Sequence, residues 1–231
     1  TAQSKFGGSS LYFDGTGDFV VPTVPASAVE FGSGDWTIEF WCRVNNPVGC
    51  FLFDWRPSNV IGYPCLVFDT SVLYYYNGGY RITLGAISAD TWTHIAISRS
   101  GTSTKAFVNG AQVGSTYTDT TVYLGSTIVR FGSGLSAAGM IGYMDEIRIS
   151  KGVARYTSNF TPPTAPHPDP PAIKLPTAVA NTNSYTVKCV GAQTVLLSNG
   201  NGQLIDGAAT LEVSNGNSND FVSNNSNWVV V

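Results

Sequence analysis

Along Trp36–Val44 the side chains alternate: Ile38, Phe40, Cys42 and Val44 fall on one face of an extended chain, and Thr37, Glu39, Trp41 and Arg43 on the other. A helix repeats its apolar positions every three to four residues, so a sustained period of two places this segment in a sheet, with the first face toward a core. Shorter segments of the same kind recur between turn residues: Ser10–Phe13, Asp18–Pro22, Cys50–Trp55, Cys65–Asp69, Val72–Tyr76, Tyr80–Leu84, Thr91–Arg99, Lys105–Val108, Val122–Leu124 and Gly139–Ile149. Asn109-Gly110 directly after Phe107-Val108 predicts a type I′ hairpin, because both central residues of that turn need positive φ. Many short strands without a convincing amphipathic helix predict an all-β fold, a sandwich or jelly roll.

A chain of 231 residues with 43% hydrophobic content can bury a sizeable core, as one large β domain or one domain plus a smaller one. Charged residues are only 12%, with Ser, Thr, Asn and Gly taking the surface positions, which suits an exported or particle-borne protein. A net charge of −3 with Lys and Arg scattered singly gives no footprint for phosphates, so nucleic acid is excluded as the expected partner. No apolar run approaches the ~18 residues that span a bilayer, so no membrane insertion is expected, and Thr1–Lys5 does not read as a signal peptide. A start without Met is what a mature chain, or the far end of a longer one, would show. Cys42, Cys50, Cys65 and Cys189 contain no Cys-x-x-Cys pair, and only His94 and His167 could join them, which argues against zinc. A Cys42–Cys50 bridge across a hairpin and free buried thiols are both open, with the second better supported.

The alternating pattern stops after Ile149, and Pro162, Pro163, Pro166, Pro168, Pro170, Pro171 and Pro176 follow. Proline donates no amide and restricts the residue before it, so residues 162–177 are expected to form an extended linker between a domain at 1–161 and an Asn-rich β module at 178–231. In that module Leu196-Leu197, Leu211-Glu212-Val213 and Phe221-Val222 each lead into an Asn-rich turn, and Trp228–Val231 closes the chain. A β unit this small is marginal alone, and an apolar terminal strand is an edge open to pairing, so a homo-oligomer, expected as a trimer, is weighed against a monomeric mini-domain.

Several segments together carry a resemblance. Leu11–Val20, Gly34–Trp41, Trp92–Ala96, Phe107–Gly110 and Gly142–Ile149 resemble, in this order, the landmarks of concanavalin A-like, laminin-G-like jelly rolls over about residues 6–166. Lys151–Tyr156 with Asn159–Pro163 resembles the version of this domain found in bacteriophage virion proteins. The resemblance implies a non-enzymatic virion protein, a tail fibre, spike or capsid decoration, displaying a lectin-like domain at the particle surface. Its expected partners are other virion proteins and a host-surface glycan. The alternative is a secreted or surface-bound bacterial carbohydrate-binding module.

Glycanases of this architecture carry Glu-x-Asp-x-x-Glu on one strand, and no such triplet occurs here. Asp145 and Glu146 are neighbours on a strand and cannot flank one bond, and His94 reads as a packed landmark. The resemblance also implies a structural calcium ion, with Asp145 as ligand and Asp14 as a second candidate, to be met by carbonyls of loops such as Phe31–Gly34. The alternative roles are a turn residue for Asp14 and a loop-bonded side chain for Asp145. Among aromatics expected to face away from the core, Trp41, Trp55 and Tyr75 are the candidate ligand-binding residues, with Tyr74, Tyr76 and Tyr80 beside them. Such rings could stack on sugars or fill a protein interface, and both readings stay open. Arg155, Tyr156 and Phe160 are expected to lash the exit of the chain against the sandwich.

Overall fold

The computed structural model describes residues 3–22, 26–57, 62–124, 129–135 and 139–167, and beyond these the strands of the carboxyl-terminal part. The chain divides into two compact units, Thr1–Pro166 and His167–Val231.

The first unit contains β1 (Leu11–Asp14), a single helical turn α1 (Ala26–Val29), β2 (Trp36–Val44), β3 (Phe51–Asp54), β4 (Cys65–Asp69), β5 (Val72–Tyr76), β6 (Tyr80–Gly85), β7 (Thr93–Ser100), β8 (Ser103–Val108), β9 (Ala111–Thr118), β10 (Arg130–Phe131) and β11 (Ile141–Lys151). They form a six-stranded sheet in the order β1-β11-β2-β7-β8-β9 and a five-stranded sheet in the order β10-β3-β4-β5-β6, with antiparallel pairing throughout. This is an all-β jelly-roll sandwich.

Alternation decides what lies between the sheets. Ile38, Phe40, Cys42 and Val44 of β2 are fully buried and join Leu52 and Phe53 of β3, Leu66 and Phe68 of β4, Leu73 and Tyr75 of β5 and Ile95 and Ile97 of β7 in one core. Each large side chain taken out of water there contributes about 1.5–3 kcal/mol. Phe31, Trp36, Trp55 and Tyr123 meet at one end, with Phe31 4.0 Å from Trp55 and 5.2 Å from Trp36 between ring centroids. Cys42, Cys50 and Cys65 are free and buried, and burial pushes the Cys50 thiol up to about 11 and the other two further still. Cys189 lies outside the described residues.

The hairpin after β8 turns through Asn109 (φ 49°) and Gly110 (φ 80°), both left-handed as a type I′ turn requires. Two segments expected to be strands are single bridges instead: Val20 pairs with Phe131, and Tyr123 with Gly32. Strand β9, with sequence AQVGSTYT, has no apolar alternation and is held by its register against β8.

In the second unit β12 (Ala172–Leu175), β14 (Val195–Asn199) and β15 (Thr210–Val213) form one three-stranded sheet, and β13 (Ser184–Lys188), β16 (Ser218–Ser223) and β17 (Trp228–Val230) another. Strand β12 falls inside the stretch expected to be a linker. Its proline-free sequence AIKL between Pro171 and Pro176 can pair, and it does so in parallel with β14. The Asn-rich turns lie outside the described residues.

Candidate functional site

Part of the outer face of the six-stranded sheet, over β2, β7 and β11, is covered by the chain's own segments. Glu39, on the outer face of β2, is fully buried under residues 153–160. Its Oε1 accepts Arg148 Nε at 2.8 Å and Nη2 at 2.7 Å, and its Oε2 accepts Tyr156 O–H at 2.7 Å and lies 3.3 Å from His94 Nε2. Burial alone would raise this carboxyl, but the nearby His94 ring nitrogen and the bonds from Tyr156 and Arg148 outweigh it and hold Glu39 at about 2. Arg155 N–H bonds Thr37 Oγ1, Gly110 O accepts Phe160 N–H at 2.9 Å, and the Tyr156 and Phe160 rings stack at 3.5 Å. Phe160 also packs edge-on against His94 and Phe107. The exit segment is therefore a strap, with Arg155, Tyr156 and Phe160 as its fastenings.

The incoming segment covers the neighbouring part of the same sheet. Lys5 Nζ sits 3.8 Å above the Trp41 ring, Phe6 packs edge-on against it, and only 6% of Trp41 stays exposed. Asp145, paired with Trp41 across β11 and β2, anchors this segment: Oδ2 accepts the amides of Lys5 at 2.8 Å and Phe6 at 3.1 Å, and Oδ1 accepts that of Glu146 at 2.9 Å. Glu146 occupies a β-bulge at φ 54°.

This donor set decides the calcium expectation on geometry. A calcium ion needs several oxygen ligands, yet Asp145 is surrounded by N–H groups. Asp14 lies at the opposite end of β1, where it pairs with Ile141 while Leu11 pairs with Met144. Four steps along β11, from Ile141 to Asp145, separate the two by about 13 Å. Asp14 Oδ1 accepts Thr16 N–H at 2.7 Å, which makes it a turn residue. Among the described residues, no group of three or more His, Cys, Asp or Glu is arranged to hold a metal. An open depression of about 300 Å³ beside Ser9, Leu11, Met144 and Ile147 borders Asp145. The residues present do not fit the ion.

Two of the three expected ligand-binding aromatics are corrected by their burial. Trp55 (1% exposed) packs against Phe31 and Trp36, and Tyr75 (0%) points between the sheets beside Tyr117. Neither offers a face to a ligand. Tyr75 is the inward residue of Tyr74-Tyr75-Tyr76, so its neighbours are the outward ones. Trp41 does face outward, but beneath Lys5 and Phe6.

The outer face of the five-stranded sheet carries a cluster of three partly exposed rings. Tyr74 and Tyr76 of β5 are half-buried, and Tyr80 of β6 is 54% exposed. Tyr74 and Tyr80 stack at 4.4 Å, and Tyr76 stands edge-on to Tyr80 at 5.8 Å. A register shift between Tyr75 and Tyr76 pairs Tyr76 with Tyr80 and brings all three to one patch. Tyr80 O–H donates to Asp69 Oδ2 at 2.9 Å. The Tyr80 phenol is pushed up by partial desolvation and then by that carboxylate. Further along the face, Asp54 takes Arg56 through both oxygens, with contacts down to 2.6 Å, and the Arg56 guanidinium lies over the Phe51 ring. The arrangement combines exposed ring faces with a hydrogen-bond acceptor, as an amphipathic ligand requires.

Residues 13–155 match the Laminin_G_3 family of the concanavalin A-like lectin/glucanases superfamily. The chain belongs to this family. As a laminin-G-like domain it is similar to several solved structures. Mouse laminin alpha1 chain domains LG4-5 share 16% identity over 68% of this chain and 46% of that one, with a TM-score of 0.45. The botulinum neurotoxin serotype C1 binding domain shares 15% over 57% and 37%, with a TM-score of 0.45. Domain 4 of an extracellular arabinanase from Geobacillus stearothermophilus, in complex with arabinotriose, shares 18% over 66% and 81%, with a TM-score of 0.40. The laminin-G-like chain thus spans less than half of the laminin and neurotoxin chains it matches. No curated protein matches it in sequence. Likeness at this level carries no argument about function, which rests on the site itself.

Proposed function

We propose that the laminin-G-like unit is a non-catalytic glycan-recognition module whose binding surface is the tyrosine patch of the five-stranded sheet, and that it serves on a bacteriophage tail fibre, spike or capsid decoration. The observation that carries the glycan reading is the Tyr74–Tyr80 stack with Tyr76 at its edge and Asp69 bonded to the exposed phenol. Pyranose rings present apolar faces bordered by hydroxyls, and aromatic faces next to a carboxylate complement both. The virion reading is supported by the sequence of the strap, Lys151–Pro163, which resembles that of phage appendage domains. A secreted or surface bacterial carbohydrate-binding module would use the same patch.

Retardation of the full chain in native gels containing soluble bacterial and plant polysaccharides tests the glycan reading. Tyr80→Ala is expected to weaken retention about 3- to 10-fold, the worth of one aromatic stack, while the chain stays folded. No retardation by any polysaccharide, or retention untouched by Tyr80→Ala, would sink it. Light scattering separates the two settings: a trimer supports the appendage, and a monomer favours the secreted module.

A further inference from the structure

Around the tyrosine patch the charges are unequally committed. Arg56 is held by both oxygens of Asp54. Arg81 donates Nε to Asn77 O and lies over the Tyr117 ring. Arg130, on β10, lies over the Phe19 ring, four strands from β6, or about 19 Å at sheet spacing. Asp69 differs. It is exposed, no cation stands within 4.0 Å of it among the described residues, and its Oδ2 accepts Tyr80 O–H while its Oδ1 is unused. It ends β4 on the same outward side as Val67, whose partner on β5 is Tyr74. An ionised acceptor with a spare oxygen therefore borders the Tyr74–Tyr80 stack.

Resting on the proposed glycan reading, we infer that Asp69 makes this patch selective for neutral glycans: it accepts hydroxyl protons from the stacked sugar and repels sugars that carry a carboxylate, phosphate or sulfate. A hydrogen bond to a charged acceptor is worth about tenfold in affinity or more. A second negative charge about 5 Å away in water-like surroundings costs about fourfold. The two ligand classes respond to the same carboxylate with opposite signs.

Asp69→Asn separates them, since the amide oxygen still accepts Tyr80 O–H while the charge is gone. The full chain, Asp69→Asn and Tyr80→Ala are compared on neutral glucan, galactan and arabinan and on polygalacturonate and a sialylated glycan. The expected result is retention on a neutral polysaccharide that falls about tenfold in Asp69→Asn, while any residual binding to the acidic polymers rises about fourfold. Binding of an acidic polymer that is stronger than any neutral one and lost in Tyr80→Ala overturns the selectivity while leaving the glycan reading intact. The same holds if Asp69→Asn moves both classes alike. Loss of every glycan interaction, or binding indifferent to Tyr80→Ala, overturns both.

Discussion

Replacing Glu39 by Gln tests how the strap is fastened. The wild-type carboxylate is depressed, so its contribution is present above its ordinary 4.5 and disappears as pH falls through about 2. The gap between 4.5 and about 2, at ~1.36 kcal/mol per pH unit, corresponds to about 3 kcal/mol. Arg148, the guanidinium partner, is a quarter exposed, and water screens part of its attraction, leaving about 2–3 kcal/mol. Glutamine keeps the shape and an acceptor oxygen but loses the charge. At pH 7, Glu39→Gln is expected to unfold with that much less free energy in urea, followed by tryptophan fluorescence, and to melt roughly 5–10 °C lower. Between pH 4.5 and 2 the wild type should lose its advantage until the two proteins converge. Asp54, also depressed by its Arg56 bonds, weakens both proteins equally in acid and cancels from the difference. A gap that stays constant down to pH 2, or no gap at pH 7, would refute the account of Glu39 as an ionised hub under the strap.

Two further outcomes follow from the geometry. Because amides fill the surroundings of Asp145, melting in millimolar calcium and in chelator should coincide, and a rise of several degrees with calcium would overturn the anchoring role. At Gly110, φ is 80° and an added Cβ would fall 2.0 Å from Phe160 O, so Gly110→Ala is expected to cost about 2 kcal/mol or more and to open residues 153–163 to protease. Unchanged melting with intact protease resistance would show that the strap does not depend on this approach.

The strands were legible wherever alternation is strong. The expected bounds of β2, β4 and β5 coincide with those found, and the Asn109-Gly110 turn has the φ values that its residues demand. Strand β9 escaped because its polar sequence has no periodicity, although the hairpin signal before it required a partner for β8. Periodicity also says which residues share a face without saying what covers that face. Trp41 was correctly placed away from the core, but nothing in β2 reveals that Lys5 and Phe6 roof it. Within Tyr74-Tyr75-Tyr76, strict alternation from Leu73 would have assigned Tyr75 to the interior and its neighbours to the surface. Trp55 lies just past β3 and closes the end of the core, where alternation no longer applies. The anchoring of Asp145 by the amides of Lys5 and Phe6 joins residues about 140 apart and leaves no local trace.

Both ends of the first unit's framework run across the six-stranded sheet, the incoming chain over Trp41 and the outgoing strap over Glu39, while the tyrosine patch occupies the opposite sheet. Mooring and reading are thus assigned to different sides of one sandwich. Substitutions at positions 67, 69, 74, 76, 80 and 83 can drift toward new surfaces without loosening either mooring, so the same scaffold can change what it recognises while keeping how it is tied.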